Sequence, residues 1–139
     1  MKSSLIAGLT HEHSYRVTPN KTVPHVFDDA ELFRTMPPVF ATAYLVGLVE
    51  WVCMELLNPH LDEGEQSVGT GISISHTAAT PPGLMVHLQV TLESVDGRRL
   101  RFRVKARDDL EKIGEGTHER FIIERARFMR RVAEKASSR

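Results

Sequence analysis

The sequence predicts an α+β fold, with a curved, five-stranded antiparallel sheet wrapped around one long central helix. Three observations carry this. From Val39 to Leu57 the chain is apolar nearly all round, the mark of a helix buried on most sides. Four segments after that helix alternate apolar and polar residues, as strands with one dry face do, and a weaker alternating segment precedes it. The apolar helix is what the dry face of the sheet wraps.

Residues 9–18, "LTHEHSYRVT", place Leu9, Tyr15 and Val17 on one face of a first strand. Residues 19–38 hold four of the seven prolines and are expected to form a loop or lid with one short helical turn at 28–33. The main helix is expected over 38–61, begun by Pro37 and Pro38 and ended by Asn58-Pro59. After the polar turn "LDEGEQS", strands are expected over 67–78, 83–95, 98–108 and 112–128. The second of these is the cleanest, with Leu84, Val86, Leu88, Val90 and Leu92 pointing one way, and Asp96-Gly97 behind it is a hairpin signal. The tail, 129–139, is expected to begin as a short helix and then fray. The whole of 1–139 is read as one domain.

Basic and acidic residues number 18 each, which argues against a nucleic-acid or membrane-surface binder. The single Cys53 excludes an internal disulfide and fits a reducing compartment. With no stretch able to span a bilayer, a cytoplasmic protein is expected. No metal site is expected either, since "HEH" at 11–13 lacks HExxH spacing.

Four polar features break the apolar pattern. Glu50 has Val46, Gly47, Cys53 and Met54 as its helical neighbours, so no cation on that helix can pair with it. It either reaches solvent or a backbone group, or it is a carboxylate kept in a pocket. His76 continues the inward face of Ile72 and Ile74. It is either a satisfied core histidine or a functional group near Gly69 and Gly71, where glycine marks close approach of a ligand or a backbone. Thr42 is either an ordinary helix residue bonding a backbone carbonyl or a functional group, and it lies eight residues before Glu50, about 12 Å along a helix and about 80° around it. The two therefore serve one reaction only through a bridging group or from two chains. Finally, Arg99, Arg101, Arg103, Lys105 and Arg107 share one strand face. That face is either solvated and charge-paired, through Glu93, Glu115 and Glu119, or a phosphate-holding surface. Lys21, Arg34 and Arg120 are further candidate cations.

The stretches "VFATAYLVGLVEW", "GTGISISHTAATPPG", "SVDGRRL" and "IGEGTHER" resemble the fluoroacetyl-CoA thioesterase family of hot-dog-fold proteins, over about residues 21–128. The resemblance implies a hot-dog sheet around one helix. It also implies a homodimer, or a dimer of such dimers, with active sites at the interface, and an acyl-CoA substrate whose CoA makes a separate cofactor unnecessary. The family's catalytic threonine, glutamate and histidine fall on Thr42, Glu50 and His76. Its substrate-side glycine N–H falls on Gly69. Its lid falls on Val23 through Met36, so that Val23, Val26, Phe33 and Met36 are expected to bind substrate; Arg120, from the candidate phosphate-holding cations, is expected to join them. The fluoroacetyl-specific pattern has phenylalanine where this chain has Met36, a flexible side chain with no ring edge, which points to a broader short-acyl preference. The resemblance thus implies a thioesterase for a small acyl-CoA. A hydratase or dehydratase on the same fold, or a non-catalytic acyl-CoA-binding protein, are the alternatives.

Overall fold

In the computed structural model, which describes residues 1–138, the alternating segments form β1 (Thr10–Arg16), β2 (Glu65–Ile74), β3 (Met85–Asp96), β4 (Arg99–Asp108) and β5 (Lys112–Glu124). Three helices accompany them: α1 (Glu31–Arg34), α2 (Thr42–Leu57) and α3 (Arg125–Ser137). Arg139, the last residue of the expected tail, lies outside the described residues. The sheet order is β1-β3-β4-β5-β2, with every pair antiparallel. β1 and β2 are therefore its edges.

Period-two alternation puts Val86, Leu88, Val90 and Leu92 of β3 and Leu100, Phe102 and Val104 of β4 on the dry face, each at most 1% exposed. They form one core cluster with Leu45, Val49, Val52 and Leu57 of α2. Burial pushes the thiol of Cys53, in the same core, up to about 12, so it stays a protonated, inert packing group. On the outer face Arg101 and Arg103 pair with Glu93, and Arg101 also with Glu119.

Several boundaries differ from those the sequence predicts. The helix begins at Thr42, not at residue 38, because Phe40 is held extended in a bridge to Thr22. It ends at Leu57, and Asn58–His60 turn as a 3₁₀ segment. The short lid helix is Glu31–Arg34. The last strand stops at Glu124, four residues before the expected end, where α3 begins. In the hairpin Asp96 pairs with Arg99, so the loop is Gly97-Arg98, with Gly97 at φ +58°. α2 is covered on less of its surface than its composition demands, since Trp51 and Met54 are each 44% exposed.

Candidate active site

Gly114 and Gly116 let the end of β2 and the chain just after it lie directly on β5. A Cβ on Gly114 would sit 2.1 Å from Ser75 O, and one on Gly116 would sit 1.9 Å from Ser73 O, so only glycine fits. Ser75 N–H donates to Glu115 O (2.9 Å) and Thr77 N–H to Ile113 O (2.7 Å), which clamps the backbone on both sides of His76. His76 therefore lies beyond the end of β2, not within a strand running to residue 78. A few residues on, Thr80 O accepts from Phe40 N–H at 2.8 Å. The same segment thus holds the start of α2, and Thr42 Oγ1 comes to lie 2.7 Å from His76 Nδ1.

The His76 and Phe40 rings stand at 76° to one another, with centroids 6.5 Å apart. Its Nε2 is buried and has no hydrogen-bond partner among the described residues. Burial pushes the imidazole below its ordinary value, which keeps it in its neutral, unprotonated form at physiological pH.

A second cluster forms at the bulge of β2. The register to β5 shifts between Gly69 and Gly71, so Thr70 is the extra residue. Before it Gly69 lies on the side of Arg120, and after it Ile74 packs against the core while Ile72 stays 39% exposed. Gly69 is opposite Arg120. A Cβ there would lie 2.5 Å from Glu50 Oε1, so the missing side chain is what lets the carboxylate approach. Arg120 is only 3% exposed. Its Nε–H donates to Ser67 Oγ (2.8 Å) and Nη2–H to Ser67 O (2.8 Å), while Nη1–H groups donate to Glu50 Oε1 (3.2 Å) and His118 Nε2 (3.1 Å).

Glu50, which has no cation on its own helix, is therefore paired by β5. Arg120 is tied down beside Gly69 and is not a free surface cation for long phosphates. Arg34 donates to Asp28 O at 2.6 Å, and the Lys21 ammonium lies 4.9 Å over the Tyr44 ring. In the lid, Val23 N–H donates to Val39 O, Phe33 packs on Phe27 at 5.6 Å between centroids, Val26 is half-buried and Met36 is exposed. Thr42 and His76 are thus brought together, as are Glu50, Gly69 and Arg120. Within the one chain the two groups share no hydrogen bond among the described residues. The sequence reading did not single out His118, although its inward place on β5, two residues before Arg120 in "GTHER", was visible.

A hydroxyl bonded to an imidazole, and a carboxylate held against a glycine of a sheet that wraps one helix, define a hot-dog protein of the thioesterase type. A hot-dog-like protein from Thermanaerovibrio acidaminovorans has the same fold (TM-score 0.81, 24% identity, 96% of this chain and 94% of that one). A thioesterase superfamily member from Thermus thermophilus is 30% identical, with a TM-score of 0.86 and 99% of both chains covered. The profile of the fluoroacetyl-CoA-specific thioesterases matches residues 17–126. The fluoroacetyl-CoA thioesterase of Streptantibioticus cattleyicolor is 46% identical over 97% of both chains, and a solved structure of a fluoroacetyl-CoA thioesterase overlays with a TM-score of 0.94 over 96% of this chain and 98% of that one. The chain belongs to the fluoroacetyl-CoA-specific thioesterase family.

Proposed function

We propose that this protein hydrolyses the thioester of a small acyl-CoA, acetyl- or haloacetyl-like, to the free acid and CoA. The observation that carries the proposal is the Thr42–His76 pair, 2.7 Å apart with the imidazole half-buried and the threonine exposed, in a member of a thioesterase family. That distance is within proton-transfer reach. His76 is the general base, and the hydroxyl of Thr42, not a carboxylate, is what orients it. Two routes use the same atoms: His76 takes the proton of Thr42, which attacks the carbonyl, or it takes one from a water that Thr42 positions. Glu50 is the second reacting group: it attacks the carbonyl, the C–S bond breaks, CoA leaves as a thiolate that takes up a proton and water hydrolyses the resulting anhydride, or it activates the attacking water directly. Gly69 N–H is the proposed donor to the oxyanion. The guanidinium of Arg120 lines the acyl end, and Val23, Val26, Phe33 and Met36 close over it.

Thr42 and Glu50 stand eight residues apart on one helix, about 12 Å along its axis, so the proposal includes a homodimer in which one site draws on both copies. Supporting it, β2 is an unpaired edge, and Ile72 on it and Trp51 on α2 are exposed. The buried, unpaired Cys53 supports a cytoplasmic location, and no described helix is long and apolar enough to cross a membrane. The test is thiol release from acyl-CoA esters ranging from acetyl to palmitoyl, with fluoroacetyl included. Turnover should concentrate at the shortest chains. Tight binding of CoA esters without thiol release would leave only a binding protein, and water addition to crotonyl-CoA would make it a hydratase.

A further inference from the structure

We infer that His118 is a positioning residue that sets Gly69 and the Glu50 carboxylate in one arrangement, an inference that rests on the hydrolase reading above. His118 is 2% exposed, and both of its ring nitrogens are engaged. Nδ1 faces the carbonyl of Gly71 at 2.7 Å. A carbonyl only accepts, so Nδ1 carries the proton. Nε2 faces Nη1 of Arg120 at 3.1 Å. A guanidinium only donates, so Nε2 is the acceptor. The two partners therefore fix a single neutral tautomer. Burial, with Arg120 alongside, holds the imidazole below its ordinary value, against the opposing pull of the Gly71 bond.

Each of these bonds controls a different part of the site. The bond to Gly71 pins β2 on the far side of the bulge from Gly69, and so sets where the Gly69 backbone lies. The bond to Arg120 takes one of the two Nη1 hydrogens and leaves the other for Glu50. Two further N–H groups of Arg120 are spent on Ser67, so its guanidinium plane is fixed from three sides. A Cβ on Gly69 would also meet His118 Cε1 at 3.3 Å, which places the ring in the wall of the same recess. Without an acceptor at Nε2, the guanidinium is free to rotate about its Ser67 bonds and carry the carboxylate with it. A displacement of about 1 Å in a reacting group costs up to about a hundredfold in rate.

The test compares His118→Leu, which keeps bulk and removes both bonds, with His118→Gln, which offers one donor and one acceptor. In His118→Leu, kcat per folded molecule should fall about tenfold or more, with KM moving less than about threefold. His118→Gln should recover most of the loss. Nitrogen-15 spectra of the wild-type protein should show His118 as the Nδ1–H tautomer, and a structure of His118→Leu should show Arg120 displaced from Glu50. A merely structural role would lower Tm while leaving kcat per folded molecule unchanged, and that result overturns the inference. An Nε2–H tautomer also overturns it, whether or not His118→Leu folds. If the wild type released no thiol, the hydrolase reading would fall, and the tautomer and the Arg120–Glu50 distance would still decide this one.

Discussion

Thr42 Oγ1 and His76 Nδ1 stand 2.7 Å apart although 34 positions separate them in sequence. The contact depends on one segment, 75–80, being fastened to β5 at one end and to the start of α2 at the other. His76→Ala removes the proposed base and should lower kcat on the best acyl-CoA by at least about a hundredfold, the low end for general base catalysis. Glu50→Gln should do the same. Thr42→Ala should follow them, whereas Thr42→Ser keeps the oxygen and should lose less than about tenfold. Wild-type rates in His76→Ala and Glu50→Gln would remove both residues from the chemistry.

The depressed imidazoles of His76 and His118 make two pH predictions. For activity, the base form of His76 persists below the ordinary histidine range because burial disfavours its cation. The acid limb of kcat/KM should therefore have its midpoint below about 6.5. For stability, unfolding frees both rings to take up protons near pH ~6.5, which the folded state resists. The unfolded chain then binds more protons, so stability falls as pH drops from about 6.5 toward the folded-state values, and these two groups contribute no slope above that window. Carboxylates held low, such as Asp109 and Glu115, add their own loss only at more acid pH. Thermal melts between pH ~7.5 and ~5 read this directly, and a Tm that rises on acidification would contradict it.

Two glycines separate site geometry from fold stability. At Gly69 an added Cβ meets the end of a flexible side chain, Glu50 Oε1, at 2.5 Å, so Gly69→Ala should push the carboxylate aside and lower kcat with little change in Tm. At Gly116 the added Cβ meets the backbone carbonyl of Ser73 at 1.9 Å, which cannot move without opening the β2–β5 pairing. Gly116→Ala should destabilise by about 3 kcal/mol, the upper range for methyl groups forced into packed sites. Denaturant melts and turnover on the same two variants check the contrast. Equal Tm losses in both would refute it.

The layout of strands and helix was legible because period-two alternation and the apolar run are local signals. Leu84 through Leu92 announce a half-buried strand without help from any other part of the chain. Pro37 and Pro38 misplaced the helix start because proline suits both a first turn and the extended approach to one, and the choice was made by a distant bridge, Phe40 to Thr22. The apolar pattern carries the last strand to Phe128, yet α3 begins at Arg125. The candidate site was half legible: Thr42, Glu50 and His76 stand out as polar breaks in apolar pattern, and the family resemblance marks all three as candidates. That Arg120 would satisfy Glu50, and His118 satisfy Arg120, depends on the β2–β5 register and its bulge, which no short-range pattern encodes.

The exposed face of α2 and the open edge of β2 make the oligomeric state a test of the whole site. Light scattering at micromolar concentration should give twice the chain mass. Ile72→Lys, which puts a charge on the open edge, should shift the protein toward monomer and lower kcat in parallel. A fully active monomer would show that one chain completes the site alone.

Met36 bears on the choice of acyl group. It is 48% exposed in the lid, near an aromatic pair already formed by Phe27 and Phe33. A thioether on three rotatable bonds adapts to whatever lies beneath it, and adaptation weakens discrimination between acyl groups that differ by one atom. A small substituent in an apolar pocket is worth only about 1–3 kcal/mol even when the wall is rigid, so a wall that moves should give less. The wild-type ratio of kcat/KM for fluoroacetyl-CoA over acetyl-CoA should therefore be modest. In Met36→Phe a ring of fixed shape joins Phe33, and the ratio should rise by roughly tenfold, within what that energy allows. Measuring both ratios under the same conditions decides it. A wild type that already discriminates by more than about a hundredfold, the rigid-pocket range, and a variant that leaves the ratio unchanged would place the selectivity elsewhere, with the guanidinium of Arg120 beside Gly69 as the next group to test.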